Sequence, residues 1–298
     1  YKRQREGGAQ IPQLVNKYLG HGVRNFYNIV NFILILLVGV VFVYTPGDLI
    51  AKDILGKDPN SNVIWIIYAC IFAYYILATL FPIDAIIGRI YPIFGALLII
   101  SAAGIFIGIF LKGAQHLSFE GQGLLAQHPA GQKFIPAFFV TVACGILSGF
   151  HGSQSTLISR TVKHEKEGTF VFYWAMVAEG FIAMCWAGGA MVLFSSGAVP
   201  LDTGATAMVG NISREFLGAV GGMFAVIGVI VLPITSGDTA FRALRLIIAD
   251  EFNIEQRSWY KRIMVSICIF IPAIIILVFA KKSPGGFNLL WRLSLIHI

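Results

Sequence analysis

Charge is what this chain has least of. Only 12% of its 298 residues are Asp, Glu, Lys or Arg, against 57% that are hydrophobic, and the mean hydropathy is +0.77. A soluble domain keeps a charged surface, so helices that are apolar all round, repeated along the chain with charges confined between them, have almost no soluble solution. Cysteine is scarce as well. Cys70, Cys144, Cys185 and Cys268 lie within apolar runs at wide, irregular intervals, which gives neither a CxxC metal pattern nor a disulfide framework. No metal and no cofactor is expected. The GxSxG elbow and the HExxH pair that would announce a hydrolase are missing too. No signal-peptide pattern shows in the polar, basic first 25 residues. The chain opens at Tyr1 rather than Met, and a fragment of a longer protein is expected.

What is present is apolar length. Seven runs approach or exceed the roughly 20 residues that cross a bilayer: 26–44, 63–82, 90–111, 134–151, 170–195, 217–234 and 260–280. The expected fold class is all-α, a polytopic transmembrane helix bundle of about seven spans forming a single transmembrane domain over 1–298. A net charge of +7 would suggest nucleic acid in a soluble chain, but membrane proteins gather Lys and Arg in cytoplasmic loops for topological reasons. The expected partner is the lipid bilayer and not nucleic acid. With the amino end cytoplasmic, 14 of the 22 basic residues fall inside, Arg24, Arg242, Arg245 and Arg262 among them, and 8 outside, including Lys52, Arg214 and Lys281. The segments 112–133 and 196–216 are expected outside. Gly104 and Gly108, Gly145 and Gly149, and Gly218 and Gly222 recur at GxxxG spacing, read as close helix packing.

Two stretches interrupt the apolar pattern. In "CGILSGFHGSQSTLISR", 144–160, three glycines loosen a span where Ser148, His151, Ser153, Gln154, Ser155 and Thr156 bring polar side chains. In "VLPITSGDTAFRALRLIIAD", 231–250, Pro233 removes a backbone donor, Ser236 or Asp238 is placed to cap a new helix, and Asp238 and Arg242 stand one turn apart as an expected ion pair. The second stretch is either a broken-helix site suited to a carboxylate or a helix start at the membrane surface whose arginines are positive-inside anchors. His151 is either proton-linked or a packed interfacial histidine. Glu179, in the middle of 170–195, is read as functional, because a carboxylate at membrane depth is costly unless protonated or paired.

The stretches "VACGILSGFH" (142–151), "SGDTAFRALRLIIAD" (236–250), "SPGGFNLLW" (283–291) and, more weakly, "HPAGQ" (128–132) resemble the carbon starvation protein A family of membrane transporters, over nearly the whole chain. The resemblance implies an inner-membrane permease for peptides or, in some members, for proton-coupled pyruvate uptake, with an inverted-repeat, all-helical carrier fold. The positions matching its motifs are Ser148, Gly149, Phe150 and His151, then Asp238, Thr239, Arg242 and Arg245. With Ser153 added, Ser148, Gly149, Phe150, His151, Asp238, Thr239 and Arg242 are the candidate substrate-binding residues; His151, Glu179 and Asp238 are the candidate ion-coupling residues. Two departures stand out: the family's further upstream spans, with a Gly-rich and His-bearing segment, are absent here, and "RLSLIHI" replaces the usual continuation after Trp291. The expected function is import of a small carboxylate-bearing nutrient, pyruvate or a short peptide, coupled to protons or sodium, in response to carbon starvation. The other classes are a membrane-embedded enzyme and a non-transporting sensor or scaffold.

Overall fold

The computed structural model describes residues 9, 11–80, 84–117, 162–200, 203–283 and 285–296, with single positions between 135 and 159. Among the described residues the regular elements are all helical. A short amphipathic α1 (Ile11–Leu19) leads into α2 (His21–Leu49), which a π-helical turn extends through Ile54. Then come α3 (Val63–Leu80), α4 (Asp84–Gly108), α5 (Ala175–Ser195), α6 (Ala205–Glu251), α7 (Trp259–Lys282) and α8 (Gly286–Ile296). Among the described residues five helical stretches are long and apolar enough to cross a membrane: His21–Ile54, Pro92–Leu117, Thr169–Ser195, Ala205–Glu251 and Trp259–Lys282. The shorter apolar helix Val63–Ala78 accompanies them. Six of the seven expected runs therefore fall on helices, and 134–151 lies almost entirely outside the described residues.

Among the described residues the helices pack into two large apolar cores, with a small third cluster of Leu49, Val226 and Ile230. One gathers α2, α3, the second part of α6, α7 and Leu290 of α8 around Leu34, Ile35, Val40, Tyr75, Leu244 and Ile269. The other joins α4, α5 and the first part of α6 through Ile105, Ile109, Cys185, Val192, Ile212 and Phe216. Without water to drive helices together, close approach is what holds them, and the aromatic rings find room over glycine: Phe241 against Gly39, Tyr68 against Gly47, and Tyr75 with Phe42 against Gly237. Gly104 and Gly108 do the same for Leu217 and Phe216, as their spacing suggested. The third GxxxG pair has another role. At Gly218 the backbone leaves helical geometry (φ 72°, ψ −174°), and the bend is tight enough to lay Gly222 against the backbone of Ser213 and Arg214.

That correction extends to the place of the break. The interruption expected at Pro233 is absent: the only non-helical backbone within α6 is at Gly218, and the helix passes through Pro233, Ser236 and Asp238. Proline inside a membrane helix is tolerated when neighbours and hydroxyls satisfy the backbone it disturbs. Here the Thr235 hydroxyl donates to the carbonyls of Val231 (3.1 Å) and Leu232 (2.8 Å). Gly218, with positive φ and extended ψ, sits where only glycine is at ease. Gly218→Ala is expected to cost about 1–3 kcal/mol, read as a lower unfolding midpoint in detergent by tryptophan fluorescence.

Candidate functional site

Asp238, buried to 7% exposure, projects from the second part of α6 into the first core. Its Oδ2 accepts a hydrogen bond from Arg242 Nη2 at 3.0 Å, the i,i+4 pair expected from the spacing. Thr239 turns its hydroxyl back to the Thr235 carbonyl at 3.1 Å, so it is spent on the helix itself. Around this point Phe241, Phe72, Tyr75 and Phe270 form an aromatic wall, with ring centroids 5.3 Å apart for Phe241 and Phe270 and 5.4 Å for Tyr75 and Phe241.

One turn beyond the pair lies Arg245, and it is the unusual group. It is only 8% exposed, it enters no ion pair among the described residues, and its Nε is buried without a hydrogen-bond partner. The charges close enough to act on it are Arg242, Arg262 and Asp238, and Arg262 Nε is likewise buried and unbonded. Among the described residues, buried Arg245 thus lies near two half-buried guanidiniums and one carboxylate. An unpaired buried charge is among the costliest features a protein carries. Arg245 has no anion paired with it among the described residues. Both arginines lie on a helix, as expected, and packing of α6 buries Arg245 and half-buries Arg242.

The other candidates are not gathered here. Ser148, Gly149, Phe150, His151 and Ser153 lie outside the described residues. Glu179 is on α5, with an exposed side chain, and α5 packs into the second core while Asp238 belongs with the first.

A second polar cluster was missed by sequence reasoning. Lys281, expected at the start of an outside 281–298 tail, buries its head (6% exposed side chain) against Asp48 (11%), with Nζ 2.7 Å from Oδ1. The Tyr68 hydroxyl donates to the same oxygen at 3.1 Å, and the ammonium lies 4.7 Å from the centre of the Tyr44 ring. Beside it Asp53, 2% exposed, pairs with Arg214 and rests against Gly210. Asp48, Lys52, Asp53, Lys57, Asp58 and Thr206 line a half-open pocket of about 410 Å³. At the far end of the same helices Arg24 and Asn28 of α2 hold Glu251 of α6, at 2.9 Å and 2.8 Å. The one sequence signal was an aspartate, Asp48, in the continuation of an apolar run; its partner lies 233 residues away.

Set against known proteins, residues 10–195 match the model of the family described as carbon starvation protein CstA; α6 lies beyond that match. An uncharacterized membrane protein of Haemophilus influenzae is 37% identical over 227 residues, which is 61% of this chain and 61% of that protein. An uncharacterized protein of the same organism is 52% identical over 80 residues, 27% of this chain and 54% of that protein. The chain thus spans 61% and 54% of the two relatives' lengths. No solved structure matches it.

Proposed function

Since this chain belongs to the carbon starvation protein CstA family, we propose that it is the body of a secondary active transporter that imports a small carboxylate-bearing nutrient, pyruvate or a short peptide, with protons as the driving ion. The observation that carries the reading is Arg245: a buried guanidinium on an apolar helix, with no ion pair among the described residues, next to the Asp238–Arg242 pair. An entering carboxylate supplies the missing negative charge, and the planar guanidinium is shaped to receive it through two parallel hydrogen bonds. Asp238 takes the part of a regulator, holding Arg242 until substrate competes for it. The sharp bend at Gly218 and the glycine-mediated packing supply the movable parts that an alternating-access cycle requires.

The test is flux. Full-length protein in sealed liposomes, given an inward proton gradient, should accumulate radiolabelled pyruvate or alanyl-alanine above the level set by equilibration; absence of uptake of both under proton and sodium gradients would sink the reading. The proposed setting is the cell inner membrane with a cytoplasmic amino end. Single cysteines at 52–60 should accordingly react with a membrane-impermeant maleimide in intact cells, and those at 163–167 should not.

A further inference from the structure

We propose that the Asp48–Lys281 pair is a proton-coupling site, separate from the carboxylate site at Arg245 and set at the opposite end of the buried interior. The proposal rests on the transport reading above and adds to it where the driving ion binds.

The geometry is specific. Both hydrogen bonds given to the Asp48 carboxylate converge on one oxygen: Lys281 Nζ at 2.7 Å and Tyr68 hydroxyl at 3.1 Å both reach Oδ1. Oδ2 is left for a proton. The residue also lines the half-open pocket, so water reaches the carboxylate from one side while α3, α7 and the rings of Tyr44 and Tyr68 enclose it on the other. The charged and titratable groups that face it are Lys281 on α7, Tyr68 on α3, Tyr44 on α2, and Lys52, Asp53, Lys57 and Asp58 on the pocket wall, with Arg214 of α6 held by Asp53.

The step balances simply. A hydronium ion in the pocket gives its proton to Oδ2 and leaves as water; Asp48 becomes a neutral acid, and Lys281 keeps its charge but loses its counter-ion. The Tyr44 ring, 4.7 Å from the ammonium, offers it a resting place. Return of the proton to water restores the pair. A buried pair that served only as a staple would gain little over apolar packing, whereas one that opens on protonation ties the relation of α2 and α7 to proton binding. Those two helices also reach the carboxylate site: Phe42 of α2 packs on Gly237, and Phe270 of α7 on Phe241. Six residues, roughly 9 Å of helix rise, separate Phe42 from Asp48.

The experiment compares gradient-driven accumulation with gradient-free counterflow of radiolabelled pyruvate and alanyl-alanine in liposomes bearing the full-length protein, with a trapped pH dye reporting proton entry. Asp48→Asn should lower proton-driven accumulation at least fivefold and abolish substrate-linked proton entry, while counterflow stays within twofold of wild type. Asp48→Asn/Lys281→Met, which removes both charges and so avoids stranding one, should show the same split. Normal accumulation with proton entry in Asp48→Asn overturns the proposal, as does a parallel fall of counterflow and accumulation in both variants, the mark of a structural staple. Wild-type accumulation driven by sodium and not by protons overturns it too. Failure of wild type in both assays would instead remove the transport reading on which it stands.

Discussion

Replacing Arg245 by methionine in the full-length protein is expected to weaken substrate uptake roughly 100-fold at sub-saturating concentration. That loss follows from the usual cost, several kcal/mol, of removing one partner of a desolvated charge pair. Arg245→Lys should recover only part of it, because an ammonium keeps the charge but not the planar fork. The same methionine variant should also unfold at a higher temperature in substrate-free detergent solution, since a buried cation with no described partner is gone. Stability and transport would thus move in opposite directions. If stability rises while uptake per molecule is unchanged, Arg245 is not where the carboxylate binds, and the proposed transport site loses its strongest local support.

The second large effect concerns the pair itself. Asp238→Asn and Arg242→Gln should each lower uptake at least tenfold at equal expression, and the double variant should regain part of the loss. The logic is that of a buried pair, where removing one partner strands the other and removing both does not. With Arg242 Nη2 3.0 Å from Asp238 Oδ2 and Asp238 only 7% exposed, the two effects cannot be independent. Were these residues mere anchors at the membrane surface, Arg242→Gln would disturb insertion or orientation, and transport per correctly inserted molecule would be normal.

How far this was legible in the sequence depends on the range of the interaction. Apolar run length gave the all-helical spans, because the bilayer imposes a fixed thickness on any segment that crosses it. The Asp238–Arg242 pair was legible for the same reason of local geometry: residues four apart share a helix face. Pro233 misled, since a single sequence does not reveal that Thr235 would serve neighbouring carbonyls and let the helix continue. Gly218 misled in the other direction: its spacing to Gly222 read as a packing motif, while its φ of 72° makes it the bend. Lys281 and Arg245 were counted only as inside or outside charges, because hydropathy reads a charged residue near the end of a run as exposed. Their burial is a property of packing between helices far apart in the chain, and Asp48 and Lys281 are 233 residues apart.

The division of the interior into two cores has a consequence for how the molecule is made. The core around Ile105 and Ile212 draws on an unbroken middle portion of the chain, from α4 to the first part of α6. The core around Leu34 and Ile269 draws on both ends and encloses that portion in sequence. During synthesis the described members of the middle core have all been made once Leu217 has been added, whereas α2 and α3 wait in the bilayer for α7. Throughout that interval Asp48 has no Lys281 and Glu251 has not yet reached Arg24. Helices α2 and α3 are therefore locked in place later than the helices that follow them, and the late arrival of Lys281, carried at the end of α7, neutralises a carboxylate that α2 brought in 233 residues earlier.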